Sequence, residues 1–400
     1  MRRWIVVMIV ALGVIAGYAI RPYCPLTRPS TQPNPPAAGG QETKPVEPTA
    51  PPVDAAPTIQ VANLSDGEVV GYPLLVISGR ATGKPSKVTV TLPGQSRNWP
   101  AAESFYRAMV QLNPGDNDIR LTAPNHPDTA IRIRYSPAQN TRRLRLLYVL
   151  SSDGDGSFQA PPGEPCDQVS AVRRIATAGR MQQTAIAELL HNAGQPRKSF
   201  CLECNPDGSV DVGIVQLPLT TRQLHTMAGL QIWLELYQYL QKTDPAFSDR
   251  KYLAFLSMTQ FDSGTRKVIA HTALGGGNLA LYGSGNLHTW PQSLDEIVSR
   301  FSDVRVVSDF GLYDDSALRG TFWANCATGL GASLHELGHV FGMVHSGQST
   351  DLMERGFDHI NHLFMPVEGN QPIPSSVLQL AASNVQALSD NPWIVGPSVP

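Results

Sequence analysis

Four hundred residues allow two or three domains and leave ample chain to bury a core. An apolar fraction of 42% excludes both a disordered chain and a multi-span membrane protein. A net charge of −2, from 31 basic and 33 acidic residues, removes any whole-chain electrostatic case for nucleic acid as a partner.

Met1-Arg2-Arg3 is basic, and Trp4 to Ile20 then runs 17 residues without a charge before Arg21. A secretory signal has this layout, with Gly17 and Ala19 as the small residues ahead of a cut after Ala19. An uncleaved membrane anchor is the rival reading, because 17 residues lie at the lower limit for a spanning helix. Both predict an extracytoplasmic location. Residues 21–57 hold 11 prolines in 37 positions, a composition that cannot bury a core and favours an extended spacer.

From Thr58 to about Ser136 the pattern reads as all-β. Ile59–Val61, Leu74–Ile77, Lys87–Leu92, Phe105–Leu112, Ile119–Leu121 and Ala130–Tyr135 are strand-like, separated by Ser65-Asp-Gly67, Pro93-Gly94 and Pro114–Asn117 as turns. The spacing predicts a small β-sandwich, read as a spacer or folding support. Beyond Arg142 the pattern turns mixed. Strands are predicted at Leu144–Leu150, Val212–Leu217 and Tyr252–Met258, and apolar stretches at Lys267–Ala270 and Leu279–Tyr282 flank the glycine run 275–277. Single long helices are predicted over 167–192 and 220–240, and a short one over 294–301. Five cysteines form no disulfide scaffold, but Cys201 and Cys204 are expected in a disulfide, one of them with Cys166 as the alternative.

The chemistry concentrates near residue 340. Five of the ten histidines fall between His335 and His362. Residues 335–345 read H-E-x-x-H-x-x-G-x-x-H. On a helix His335 and His339 lie one turn apart and project toward one point. Glu336 sits about 100° further round, beside that point rather than on it. Gly342 suits a left-handed residue that ends the helix, so His345 can return to the same point. Three neutral nitrogen donors with one open position are the arrangement of a catalytic zinc. From this composition the motif arises by chance at about 4 in 10⁵ per chain. A structural zinc completed by Cys326, nine residues upstream, and histidines that merely satisfy carbonyls stay open as alternatives. His359 and His362 read as solvated or capping residues, with lining the cleft as the alternative.

Met353 follows His345 by eight residues. The long zinc signature followed by a methionine resembles the metzincins. A wider resemblance rests on Trp99, Phe105, Leu112–Asn117, Lys198–Phe200, Leu274–Gly277, Thr289–Pro291, the histidine motif and Met353–Phe357. Over about residues 58–370 the chain is similar to a family of zinc metallopeptidases known mainly from fungi. The resemblance implies His335, His339 and His345 as zinc ligands, Glu336 as the base, and Met353 as an apolar floor under the metal. Astacin-like metzincins place a tyrosine just after that methionine, whereas Glu354 and Arg355 stand here. No cysteine matches the matrixin cysteine switch.

The expected fold class is α+β: an Ig-like β-sandwich over 58–140, then a metzincin-like zinc peptidase domain over 141–400, preceded by a signal or signal-anchor over 1–20 and a linker over 21–57. The expected activity is zinc-dependent endopeptidase chemistry by a monomer, with a polypeptide substrate, no nucleic acid and residues 4–20 as a membrane anchor where uncleaved. The rivals are a zinc-containing surface binding protein without activity and a zinc amidase acting on cell-wall peptides. Retention of Glu336 argues against the inactive reading.

Overall fold

The computed structural model describes residues 56–398 except Asn370 and Pro374. The expected signal or anchor segment and nearly all of the proline-rich linker lie outside the described residues. Among the described residues no helix is long and apolar enough to cross a membrane.

Period-two alternation governs the first 80 described residues. In Lys87–Leu92 the side chains of Val88, Val90 and Leu92 are buried, while Lys87, Thr89 and Thr91 are more open. Eight strands result: β1 (Ile59–Val61), β2 (Glu68–Val70), β3 (Leu74–Ala81), β4 (Lys87–Leu92), β5 (Gln95–Ala102), β6 (Phe105–Gln111), β7 (Gly115–Thr122) and β8 (Thr129–Tyr135). Their order is β1-β3-β6-β5-β4-β7-β8-β2, with β2 parallel to β8 and the other pairs antiparallel. β5 pairs with β4 along Gln95–Pro100 and with β6 at Ala101–Ala102, so it links the two halves of this array.

Two of these strands lack a sequence signal. β5 reads Gln-Ser-Arg-Asn-Trp-Pro-Ala-Ala, with no β-branched residue, yet it carries the fully buried Trp99. β2 is only three residues long. The turn expected at Pro114–Asn117 is shorter than predicted, because β7 already begins at Gly115. Asn117 fixes it by donating to the carbonyls of Asn113 and Gly115 at 2.8 and 2.9 Å and accepting from Asn113 N–H at 2.9 Å.

The second half is built on a five-stranded sheet of β9 (Arg143–Leu150), β10 (Val212–Gln216), β11 (Arg250–Leu256), β12 (Ala273–Gly276) and β13 (Leu279–Gly283). The order is β10-β9-β11-β13-β12, parallel throughout except for β12, an antiparallel edge strand. β9 and β11 are near-continuous apolar runs because both faces are covered. Helix α1 (Gln168–Asn192) starts where the Asp167 side chain accepts from Ser170 N–H at 2.7 Å.

The single helix expected over 220–240 is two. Thr221–Thr226 opens with a Thr220–Gln223 capping box, and α2 (Gly229–Thr243) opens where Ala228 N–H donates to Gln231 Oε1 at 2.8 Å. The chain breaks between them because two start signals occur in one apolar run. The short helix expected over 294–301 is present as a 3₁₀ turn followed by Ile297–Phe301.

The expected disulfide does not form: Cys166, Cys201, Cys204 and Cys326 are all free thiols. Cys201 is buried with its thiol toward Ala138 O, whereas Cys204 is exposed beside the Arg180 guanidinium at 3.3 Å. Asn63, the acceptor of a glycosylation sequon, donates to Val76 O and accepts from Ser78 N–H, so its amide is already used at both ends.

One hydrophobic core runs through the β-array and the second half. α1 lies where they meet: Thr184 Oγ1 donates to Leu74 O at 2.6 Å, and Tyr72 Oη donates to Glu188 Oε1 at 3.0 Å. Arg197 pairs with Glu188 at 2.9 Å and also with Glu68. Such a buried ion cluster fixes register more than it adds stability.

Candidate metal centre

Helix α3 (Phe322–Val340) is buried almost all round, packed between the sheet and the segment that follows it. Its end carries the geometry of the site. Gly342 is left-handed at φ +85°, Gly342 N–H bonds His339 O at 3.1 Å, and Met343 N–H bonds Gly338 O at 3.0 Å. This is a Schellman stop, and it turns the chain back as the glycine predicts. Lys251, buried on β11, donates from Nζ to Val340 O and compensates the helix C-terminus; burial holds its pKa down to about 8.

His335, His339 and His345 meet as expected, with one ligand nitrogen from each within 4.8 Å of the others. His335 Nδ1 lies 3.0 Å from Leu352 O, and His339 Nδ1 lies 3.2 Å from Met343 O. A carbonyl only accepts, so both Nδ1 atoms carry the proton and Nε2 carries the lone pair. Burial holds His335 at about 3 and His339 at about 4, with neighbouring imidazoles adding to the shift. Neutral rings with fixed tautomers are what a metal site needs. His345 is the exposed member of the group. Glu354 accepts from Gly347 N–H at 2.8 Å, and its Oε1 lies 3.9 Å from His345 Nδ1.

Glu336 is 9% exposed and faces edge strand β12. Burial pushes its pKa up to about 8, and a hydrogen bond from Gly275 N–H partly offsets this. The strand comes so close that a Cβ at Gly275 would stand 1.9 Å from Glu336 O, so only glycine fits. Met353 is fully buried, with its sulfur over Gly338 between the first two histidines. Phe357 packs edge-on against His335 with ring centroids 5.2 Å apart, and the Arg355 guanidinium covers Phe357 at 4.8 Å.

His359 and His362, expected as solvated or capping residues, instead converge on Glu368. His362 is buried and His359 half-buried. Arg319 holds the other oxygen of Glu368 at 3.0 Å. The backbone partners of the first site, Leu352 O, Met343 O and Gly275 N–H, carry no sequence signal, because any residue supplies them.

A family described as "Putative peptidase family" matches residues 58–385. The chain belongs to that family. Two fungal relatives carry the name putative zinc metalloproteinase. The one from Schizosaccharomyces pombe is 26% identical over 330 residues, covering 76% of this chain and 53% of the relative. The one from Saccharomyces cerevisiae is 23% identical over 347 residues, covering 78% and 49%. The chain thus spans about half the length of the curated relatives it matches. Among solved structures, OgpA of Akkermansia muciniphila aligns at TM-score 0.40 and 16% identity over 63% of this chain and 61% of that one.

Proposed function

We propose that this chain is a zinc-dependent endopeptidase acting outside the cytoplasm. The observation that carries the reading is the convergence of His335, His339 and His345, with the buried Glu336 beside them at the free edge of β12. The donor set fits zinc: three imidazoles, two of them held neutral by burial with Nδ1 engaged by carbonyls, and no cysteine among the members of the group. The names of the fungal relatives support the same ion and the same reaction class.

Bound there, zinc would supply Lewis-acid polarisation of a carbonyl and activation of a water. His335, His339 and His345 hold the ion. Glu336 accepts the proton of the attacking water and delivers it to the leaving amine. Gly275 N–H points off the free edge of β12 to the Glu336 carboxylate, so an extended substrate laid along Ala273–Gly276 runs past the base. Met353 forms the apolar floor beneath the rings, as in a metzincin Met-turn. Residues 58–140 act as an Ig-like sandwich domain that supports the peptidase domain over 141–400. The basic Met1-Arg2-Arg3 and the uncharged Trp4–Ile20 support export.

The test is cleavage of a mixed peptide library by the purified chain, with and without a chelator, for the parent and Glu336→Gln. The variant should keep its zinc and its fold and lose about 10²–10⁴-fold in turnover. Turnover within about threefold of the parent would remove Glu336 from the role of base.

A further inference from the structure

A cavity of about 770 Å³ lies between the β-array and helix α1, on a different part of the molecule from the histidines. Arg97 of β5, Arg143 at the start of β9 and Arg180 of α1 line it, together with Tyr135, Cys201 and Cys204. The charges do not balance. Arg97 is paired with Asp295 at 2.6 Å. Arg180 reaches only neutral partners: Gln183 Oε1 at 3.2 Å, Gly208 O at 2.8 Å and the Cys204 sulfur at 3.3 Å. Arg143 makes no carboxylate ion pair among the described residues. The one carboxylate on the lining is Asp207, whose Oδ1 is taken by Ser209 N–H and Oγ at 2.9 and 2.6 Å. The half-buried Tyr135 hydroxyl lies within electrostatic reach of both Arg143 and Arg180 and of both thiols. Two part-buried guanidinium groups facing one cavity without carboxylate partners favour an anion between them.

We propose that this cavity binds a compact oxyanion, a phosphate or carboxylate group, between Arg143 and Arg180 with Tyr135 donating its hydroxyl. The volume is that of a small-molecule site. An occupant ties the β-array to α1, which on its other face donates from Gln182 Nε2 to Ser333 Oγ of α3 at 2.8 Å. The inference does not depend on the zinc reading.

The exposed thiol of Cys204 reports on the site directly. Cys204 of the full chain is alkylated with anionic iodoacetate and with neutral iodoacetamide, and modification is located by peptide mass mapping. The ratio of the two rates cancels changes in thiol reactivity and reads the local charge. Arg143→Gln and Arg180→Gln should each lower that ratio about 3–10-fold. In the parent, inorganic phosphate or succinate should protect Cys204 from iodoacetamide beyond sodium chloride of equal ionic strength. The anion that protects at the lower concentration identifies a phosphate-type or a carboxylate-type ligand. An unchanged ratio in both variants, or no protection by either anion beyond chloride, overturns the proposal. If the variants fail to fold, the protection assay on the parent decides alone.

Discussion

Two groups of histidines lie within 28 residues of each other and differ in what holds them. In the first, His335 and His339 spend their Nδ1 atoms on backbone carbonyls, and burial keeps them neutral. In the second, His359 and His362 already face a carboxylate, and Arg319 neutralises the same Glu368. Burial raises Glu368, but hydrogen bonds from the two histidines and the charge of Arg319 outweigh it and hold the group far below the usual carboxylate range. His362 Nδ1 accepts from Val377 N–H at 3.4 Å, which puts its proton on Nε2, toward Glu368. The first group offers lone pairs; the second is a closed hydrogen-bonded ion cluster. Residue type and proximity do not separate the two, but tautomer and charge balance do.

The largest expected effect breaks that comparison at its first member. His335→Ala removes a buried imidazole fixed by Leu352 O, and elemental analysis should find zinc content falling from about one per chain to near background. His345→Ala should also lose zinc, with the ion retained only at much higher free concentration. In contrast, His362→Ala should keep the parent's zinc content and lose about 1–2 kcal/mol of stability with its hydrogen bond to Glu368. Equal zinc loss in His362→Ala and His345→Ala would show that the second group is the metal site.

Met353 sharpens the same contrast. Its side chain is fully buried against Gly338. Met353→Leu conserves volume and should cost less than about 1.5 kcal/mol, with zinc content kept and turnover modestly reduced. Met353→Glu puts a charge into an apolar site and should lose the fold or the activity. A Met353→Glu chain that folds, binds zinc and cleaves peptide like the parent would exclude Met353 from the floor of the site.

Legibility followed the range of the interaction. The histidine spacing and Gly342 as the turning point are local patterns, and each stands where the sequence places it. β5 escaped because its strand character comes from β4 and β6 on either side, not from its own residues. The break at Met227–Gly229 escaped because apolar periodicity continues across it while capping chemistry ends one helix and starts the next. Glu368 escaped because Arg319 reaches it from a distant stretch of chain, while His359 and His362 come together from the 3₁₀ segment Arg355–Leu363. The expected disulfide is absent because close spacing in sequence does not fix where two thiols point: Cys201 is buried toward Ala138 O and Cys204 is exposed.

A third kind of histidine supplies an effect that shows only in acid. His288 is 1% exposed, neither ring nitrogen has a hydrogen-bond partner, and the ring packs edge-on against Phe322 at 5.3 Å. Burial, with Arg174 and Arg300 nearby, drives its pKa down to about 3. The folded-state value lies below the unfolded one of about 6.5, so the stability it contributes is complete above pH 6.5 and is lost as the pH falls toward 3. At pH 5 the loss is on the order of 2 kcal/mol. His288→Phe keeps an aromatic ring against Phe322 and has nothing to protonate. Its urea midpoint at pH 7.5 should stay near the parent's, because no hydrogen bond is removed. At pH 5 the variant should be the more stable by about 2 kcal/mol. His271, held at about 4 by burial, keeps its own acid sensitivity, so the variant's pH dependence should shrink rather than vanish. A stability difference between variant and parent that is the same at both pH values would show that His288 is not held neutral in the folded chain. Unlike the first two groups, this ring has no partner on either nitrogen, and burial with neighbouring arginines alone sets its state.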